Sequence, residues 1–194
     1  MKKKIFIFDL DGVLINSKIN MRYAWNYSRK QNNLNVSFSK YFENIGTPFV
    51  NILNKLEIKK NQKSIEKSFR LGSIKNFHKI KLYPEVKKNL IKIKKMDFKI
   101  GILTSKDKNR TIKILNKFRI KKLFDFIECP TKNLRGKPHP DQIIKIIKKY
   151  SVHPKAVTYV GDMISDFTTA NRAKVNFIFA SYGYGKVKKC RKIK

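Results

Sequence analysis

Apolar residues fall into two kinds of pattern along this chain. Short, nearly unbroken runs occur at 5–8, 98–103, 124–129, 156–160 and 175–180. Runs of that length, rich in β-branched and aromatic residues, predict buried strands. Between them apolar positions recur at helical spacing. Val86, Leu90, Ile91 and Ile93 follow Pro84, which is expected to open their helix. Ile112, Ile114, Leu115 and Phe118 form a second set, and Ile143, Ile144, Ile146 and Ile147 a third. A shorter helix is expected around and after Asp166. Strands alternating with helices predict an α/β fold, a three-layer Rossmann-like parallel sheet with helices on both faces.

Between the first strand and residue 80 the pattern changes. Met21, Ala24, Trp25 and Ser28 keep helical spacing, as do Phe49, Ile52, Leu53 and Leu56, then Ile65, Phe69 and Ile74. No strand-like alternation occurs here. Gly46-Thr47-Pro48 interrupts the helices; Pro48 is expected in the first turn of the next one, with Thr47 as its N-cap or as a substrate contact. The expected organisation is a core domain over 1–16 and 81–185, a small α-helical cap domain over 17–80, and a basic, disordered tail over 186–194.

Composition narrows the class. The 194 residues carry 41% hydrophobic side chains, and no apolar run reaches the length of a membrane span. The basic start at Met1 leads into a short apolar run that meets Asp9 and Asp11 at once, so it reads as a strand rather than a signal peptide. Cys129 and Cys190 are far apart, with no disulfide framework or zinc spacing, which points to the cytoplasm. The net charge of +33 would suit a polyanion. However, 38 lysines stand against 8 arginines, alongside 25 Ile, 17 Asn and only 5 Ala. That is the mark of AT-rich codons, whereas phosphate-binding surfaces favour the bidentate arginine. A dedicated nucleic-acid partner is therefore not expected; the field would still draw in small anions.

The candidate chemistry gathers at strand ends. Asp9 and Asp11 close the first strand, Thr104 and Ser105 the second, and Asp162 and Asp166 follow the fourth. In a parallel sheet these ends share one edge, the edge where ligands bind. Paired acids ending a buried strand call for a bound cation or a chemical role.

The motifs resemble those of the haloacid-dehalogenase-like hydrolase superfamily, in its phosphoglycolate-phosphatase-like branch with a helical cap. The matching stretches are Asp9-Leu10-Asp11-Gly12-Val13, Leu103-Thr104-Ser105, Gly136-Lys137-Pro138-His139-Pro140 and Val160-Gly161-Asp162-Met163-Ile164-Ser165-Asp166, with Ile45-Gly46-Thr47-Pro48 and Tyr182-Gly183-Tyr184-Gly185 as weaker matches. Glu85 departs from the branch, where Gly is common. The resemblance implies a phosphatase in which Asp9 is the nucleophile and Asp11 the acid and base. It implies Mg²⁺ on the Asp9 carboxylate, the Asp11 carbonyl and Asp162. Thr104 and the Ser105 amide would bind phosphoryl oxygens, Lys137 would balance developing charge, and Asp166 would hold Lys137 or a metal-bound water, facing the same way as Asp162 one helical turn on. The second acid, Asp11, argues against dehalogenation. The expected substrate is a small phosphorylated metabolite, phosphoglycolate or a sugar phosphate, with Thr47 contributing to its choice. The alternatives are a β-phosphoglucomutase-like phosphomutase and a protein acting on nucleic-acid ends. Monomer and homodimer are both compatible with the sequence.

Overall fold

The computed structural model describes residues 4–185, so the basic tail and Cys190 lie outside it. In chain order the elements begin with β1 (Ile5–Phe8) and β2 (Ile15–Asn16). Four helices follow, α1 (Lys18–Gln31), α2 (Phe38–Glu43), α3 (Phe49–Lys55) and α4 (Gln62–Lys75). Then come β3 (Lys81–Leu82), α5 (Val86–Lys95), β4 (Lys99–Leu103), α6 (Lys108–Lys117) and β5 (Phe126–Glu128). The chain continues with α7 (Asp141–Tyr150), β6 (Val157–Gly161), α8 (Ile164–Arg172) and β7 (Asn176–Phe179). It divides into two compact units, one comprising the residues up to Ile15 and from Leu82 onward, the other Asn16–Lys81. The short strands β2 and β3 pair where the chain passes between them. Among the described residues no helix is long and apolar enough to cross a membrane.

The first unit is an α/β sheet of five parallel strands in the order β5-β4-β1-β6-β7. From β1 the chain steps outward to β4 and β5, then returns to build β6 and β7 on the other side. The ends of β1 and β6 therefore flank the switch point, where sheets of this kind form a crevice. On one face Ile5, Ile7, Leu103, Phe126, Val157 and Tyr159 share a buried cluster with Ile143 and Ile146 of α7 and Ala170 of α8. On the other, Phe6 stacks on Phe8 and tilts against Phe98.

The second unit pairs α1 with α4. Trp25 is fully buried, stacks on Tyr41 at 4.4 Å between centroids and donates its indole N–H to the Val36 carbonyl. Ser28, which sits on the apolar face of α1 by its spacing, bonds Ser68 and the Ile65 carbonyl, each at 2.9 Å. A polar seam thus runs between these helices with its groups satisfied, as burial requires.

Several local expectations need correction. Pro48 is the N-cap of α3, not its first-turn residue; its extended backbone (φ −52, ψ 144) leaves its carbonyl to accept from Asn51 and Ile52. Thr47 is therefore not the cap. Likewise Pro84 precedes the N-cap of α5, and Glu85 fills that position with φ of 60. That left-handed backbone suits Gly and strains a residue with a Cβ. The strand predicted over 124–129 shortens to Phe126–Glu128, because a 3₁₀ turn over Lys121–Leu123 occupies the approach to it. The helix α2 carried no apolar period long enough to announce it.

Gly101 lies beside Phe126 in the β4–β5 register, and a Cβ there would overlap the Phe126 ring. Gly101→Ala should therefore lower stability by about 1–3 kcal/mol through overpacking, read as a lower denaturant midpoint at unchanged m-value. Glu85→Gly should do the reverse, raising stability by about 1 kcal/mol and the melting temperature by about 2–4 °C. Loss of the exposed Glu85–Lys88 pair offsets little of that gain.

Candidate active site

Four chain segments bring their polar side chains to the carboxyl edge of the sheet. Asp9 extends β1 by one residue, its N–H bonded to the Val160 carbonyl at 2.9 Å, and its side chain is buried. Asp162 directly follows β6 and is fully buried. Asp166 stands in the first turn of α8. Lys137, from the loop between β5 and α7, is only 2% exposed in a chain whose lysines are mostly solvated.

Carboxylate oxygens of Asp9, Asp162 and Asp166 lie within 4.8 Å of one another. Lys137 Nζ donates to Asp166 Oδ1 at 2.7 Å and stands 3.1 Å from Asp9 Oδ1. The Tyr159 hydroxyl also donates to Asp166 Oδ1, at 2.9 Å. The other oxygen of Asp166 accepts the backbone N–H groups of Asp162 and Met163 at 3.1 and 3.0 Å. Asp166 therefore does not sit one helical turn beyond Asp162 on a shared face. It is the third residue of α8 and reaches back over the helix start, because the first N–H groups of a helix have no partner within it. Its acceptor capacity is filled. In contrast, Asp9 Oδ1 and Asp162 Oδ1 are buried with no hydrogen-bond donor. Lys137 reaches Asp9 Oδ1 as an ion pair.

The electrostatics follow from that crowding. Burial pushes Asp9 up to about 7, opposed by Lys137 and assisted by Asp166 and Asp11. Burial pushes Asp162 up to about 8, with Asp9 and Asp166 adding to it. Burial works against the Lys137 ammonium, yet the charges of Asp166 and Asp9 outweigh it and hold Lys137 protonated. One cation among three carboxylates leaves a deficit of positive charge. An all-oxygen donor set with two unsatisfied oxygens fits a hard divalent cation.

The remaining residues divide between the two units. Asp11 Oδ2 pairs with Lys106 Nζ at 3.0 Å, both side chains being largely buried. Thr104, at the end of β4, is buried, and its Oγ1 accepts the Lys106 N–H at 3.2 Å. Ser105 lies between them in the bend that follows β4. Thr47 belongs to the helical unit; its Oγ1 is buried without a hydrogen-bond partner. The sequence assigned no role to Lys106 or Tyr159, and marked Tyr184 only as part of a family-like stretch. Lys106 is one lysine among 38, marked only by its place two residues after Thr104. Tyr159 reads as an apolar strand residue, and nothing in its neighbourhood announces its hydroxyl's partner.

The sequence matches the haloacid dehalogenase-like hydrolases over residues 6–180. The chain belongs to this family. It is 28% identical over 178 residues to the pyrophosphatase PpaX of Oceanobacillus iheyensis, covering 90% of this chain and 82% of the relative. It is 26% identical to a phosphoglycolate phosphatase of Aquifex aeolicus, covering 95% and 87%. The crystal structure of a predicted phosphoglycolate phosphatase from Haemophilus somnus superposes with a TM-score of 0.82 at 26% identity, covering 95% of this chain and 88% of the other.

Because Asp9 and Asp162 hold protons more tightly when folded, the native state binds protons that the unfolded chain releases above about pH 4. The metal-free protein should therefore lose stability as pH rises from about 4 through about 7 and about 8, where the two groups ionise. Millimolar Mg²⁺ should flatten that decline. Melting temperatures from pH 5 to 8.5, with chelator and with Mg²⁺, check it; superimposable profiles would contradict the assignment.

Proposed function

We propose that this hydrolase is a Mg²⁺-dependent phosphatase that cleaves a small phosphorylated molecule through a phosphorylated Asp9. The observation that carries the reading is the pair of buried carboxylate oxygens, Asp9 Oδ1 and Asp162 Oδ1, left without donors beside the fixed ammonium of Lys137. Asp9, Asp162 and the Asp11 carbonyl would hold the Mg²⁺. When bound, the ion offsets the carboxylates and draws charge from the phosphoryl oxygens.

The chain's own residues then have separate tasks. An Asp9 oxygen attacks phosphorus, forming an Asp9–phosphoryl bond as the bond to the leaving oxygen breaks. Asp11 gives that oxygen its proton, then takes one from the water that attacks phosphorus and frees Asp9. The Thr104 hydroxyl and Ser105 N–H bind phosphoryl oxygens. Lys137 stabilises the developing charge, and Asp166, tied to Lys137 and to the start of α8, keeps it in place. Lys106 orients Asp11. Thr47 is the residue of the helical unit that we assign to substrate selection.

Two substrates come from the relatives. One relative is named for phosphoglycolate, another for pyrophosphate. Both molecules are small and strongly anionic, and a chain of net charge +33 attracts either. Phosphoglycolate is the leading reading. Pyrophosphate is the second, favoured by the PpaX similarity over 90% of the chain.

Purified protein with Mg²⁺ should release phosphate from one of phosphoglycolate, pyrophosphate, sugar phosphates or a phosphorylated oligonucleotide end. Phosphate release without isomerisation of a hexose phosphate would rule against a mutase. Asp9→Asn should lower kcat by at least about a thousandfold while circular dichroism shows the fold intact. Turnover by that variant at the parent rate would remove Asp9 as nucleophile.

A further inference from the structure

After β7 the chain doubles back, with the Gly183 N–H bonded to the Ala180 carbonyl at 3.0 Å, and lies against Asp162. The Tyr184 N–H donates to Asp162 Oδ2 at 2.7 Å. On either side of the intervening Gly183, the Tyr182 hydroxyl donates to the Val13 carbonyl at 2.9 Å and the Tyr184 hydroxyl reaches the Ile15 carbonyl at 3.5 Å. Tyr182 also meets Tyr83 edge-on, centroids 5.0 Å apart. Tyr182 is 56% exposed, so its ring buries little surface and its anchoring rests on the hydroxyl and the Tyr83 edge.

The spacing of the glycines has a steric reason. A Cβ on Gly183 would overlap the Asp162 side chain, and one on Gly185 the Asp162 carbonyl oxygen. From the opposite segment, a Cβ on Gly12 would overlap the Asp162 carboxylate. Asp162 thus lies against glycine backbone from two stretches, at Gly12 in 11–15 and at Gly183 and Gly185 in 181–185. The two tyrosine hydroxyls tie these stretches to each other.

We propose that 181–185 is a strap that makes Asp162 a single-oxygen metal donor and thereby selects Mg²⁺ over Ca²⁺. The Tyr184 N–H occupies Oδ2, and the glycine contacts prevent the carboxylate from turning. Oδ1, buried and without a donor, is then the oxygen left for the ion. Mg²⁺ demands octahedral geometry and accepts single-oxygen carboxylates, whereas Ca²⁺ accommodates both oxygens of one carboxylate in a larger, looser shell. A carboxylate held by one oxygen suits the first ion; one released to rotate suits the second. The proposal rests on the reading that Asp9 and Asp162 hold a divalent cation.

The test is calorimetric titration of the full chain with Mg²⁺ alone and with Ca²⁺ alone. Wild type is compared with Tyr182→Phe, which removes one anchor and little volume, and Gly183→Ala, which displaces the strap. Each variant should weaken Mg²⁺ binding by about tenfold to a hundredfold, with a smaller loss for Ca²⁺, so that the Mg²⁺/Ca²⁺ affinity ratio falls. Folded variants that keep the wild-type ratio, including variants that weaken both ions equally, would overturn the strap while leaving the cation site standing. Wild-type protein that binds neither ion would overturn the cation site itself and the strap with it. If Gly183→Ala does not fold, the ratio for Tyr182→Phe decides.

Discussion

Mutual repulsion among Asp9, Asp162 and Asp166, three buried carboxylates within 4.8 Å, is the constraint on which the sheet edge depends. Taking each such charge out of water costs several kcal/mol unless a partner is supplied. The fold supplies partners unevenly. Asp166 receives four hydrogen bonds and becomes a structural anion, fixed to Lys137, to Tyr159 and to the start of α8. Asp9 and Asp162 each keep one unsatisfied buried oxygen. That inequality separates one fully bonded acid from two with an oxygen still open, although all three are chemically alike.

Composition gives the same cluster its contrast. The chain has only 13 acidic residues against 46 basic ones, and Asp9, Asp11, Asp162 and Asp166 converge on one edge of one unit. A net charge of +33 draws small anions to the chain as a whole. Burial, not charge, sets two lysines of this edge apart from the rest. Lys137 is almost wholly enclosed and Lys106 largely so, while most others extend into solvent, where an ion pair contributes little.

The sheet order explains how residues so distant in sequence share one site. β1 and β6 are neighbours in the sheet, so Asp9 and Asp162 meet across more than a hundred intervening residues. The loop before α7 then places Lys137 beside both Asp9 and Asp166. The turn after β7 closes on the same point, since Tyr184 bonds Asp162 and the two tyrosine hydroxyls bond the 13–15 carbonyls.

What the sequence by itself determined is the class of fold and the identity of the acids. Five apolar runs separated by helical periods specify a parallel α/β sheet, and strand ends mark where polar residues must surface together. These signals are local, set by periodicity within a dozen residues. Only the tertiary structure decided what each acid does. The capping role of Asp166, the pairing of Lys106 with Asp11 and the grip of 181–185 on Asp162 depend on which groups are left unpaired once the chain has packed. So do the positions of Pro48 and Glu85 just outside their helices, where backbone angles rather than residue preference set the boundary. Hydrogen-bond satisfaction in a buried site depends on the whole packed neighbourhood, and no linear pattern encodes it.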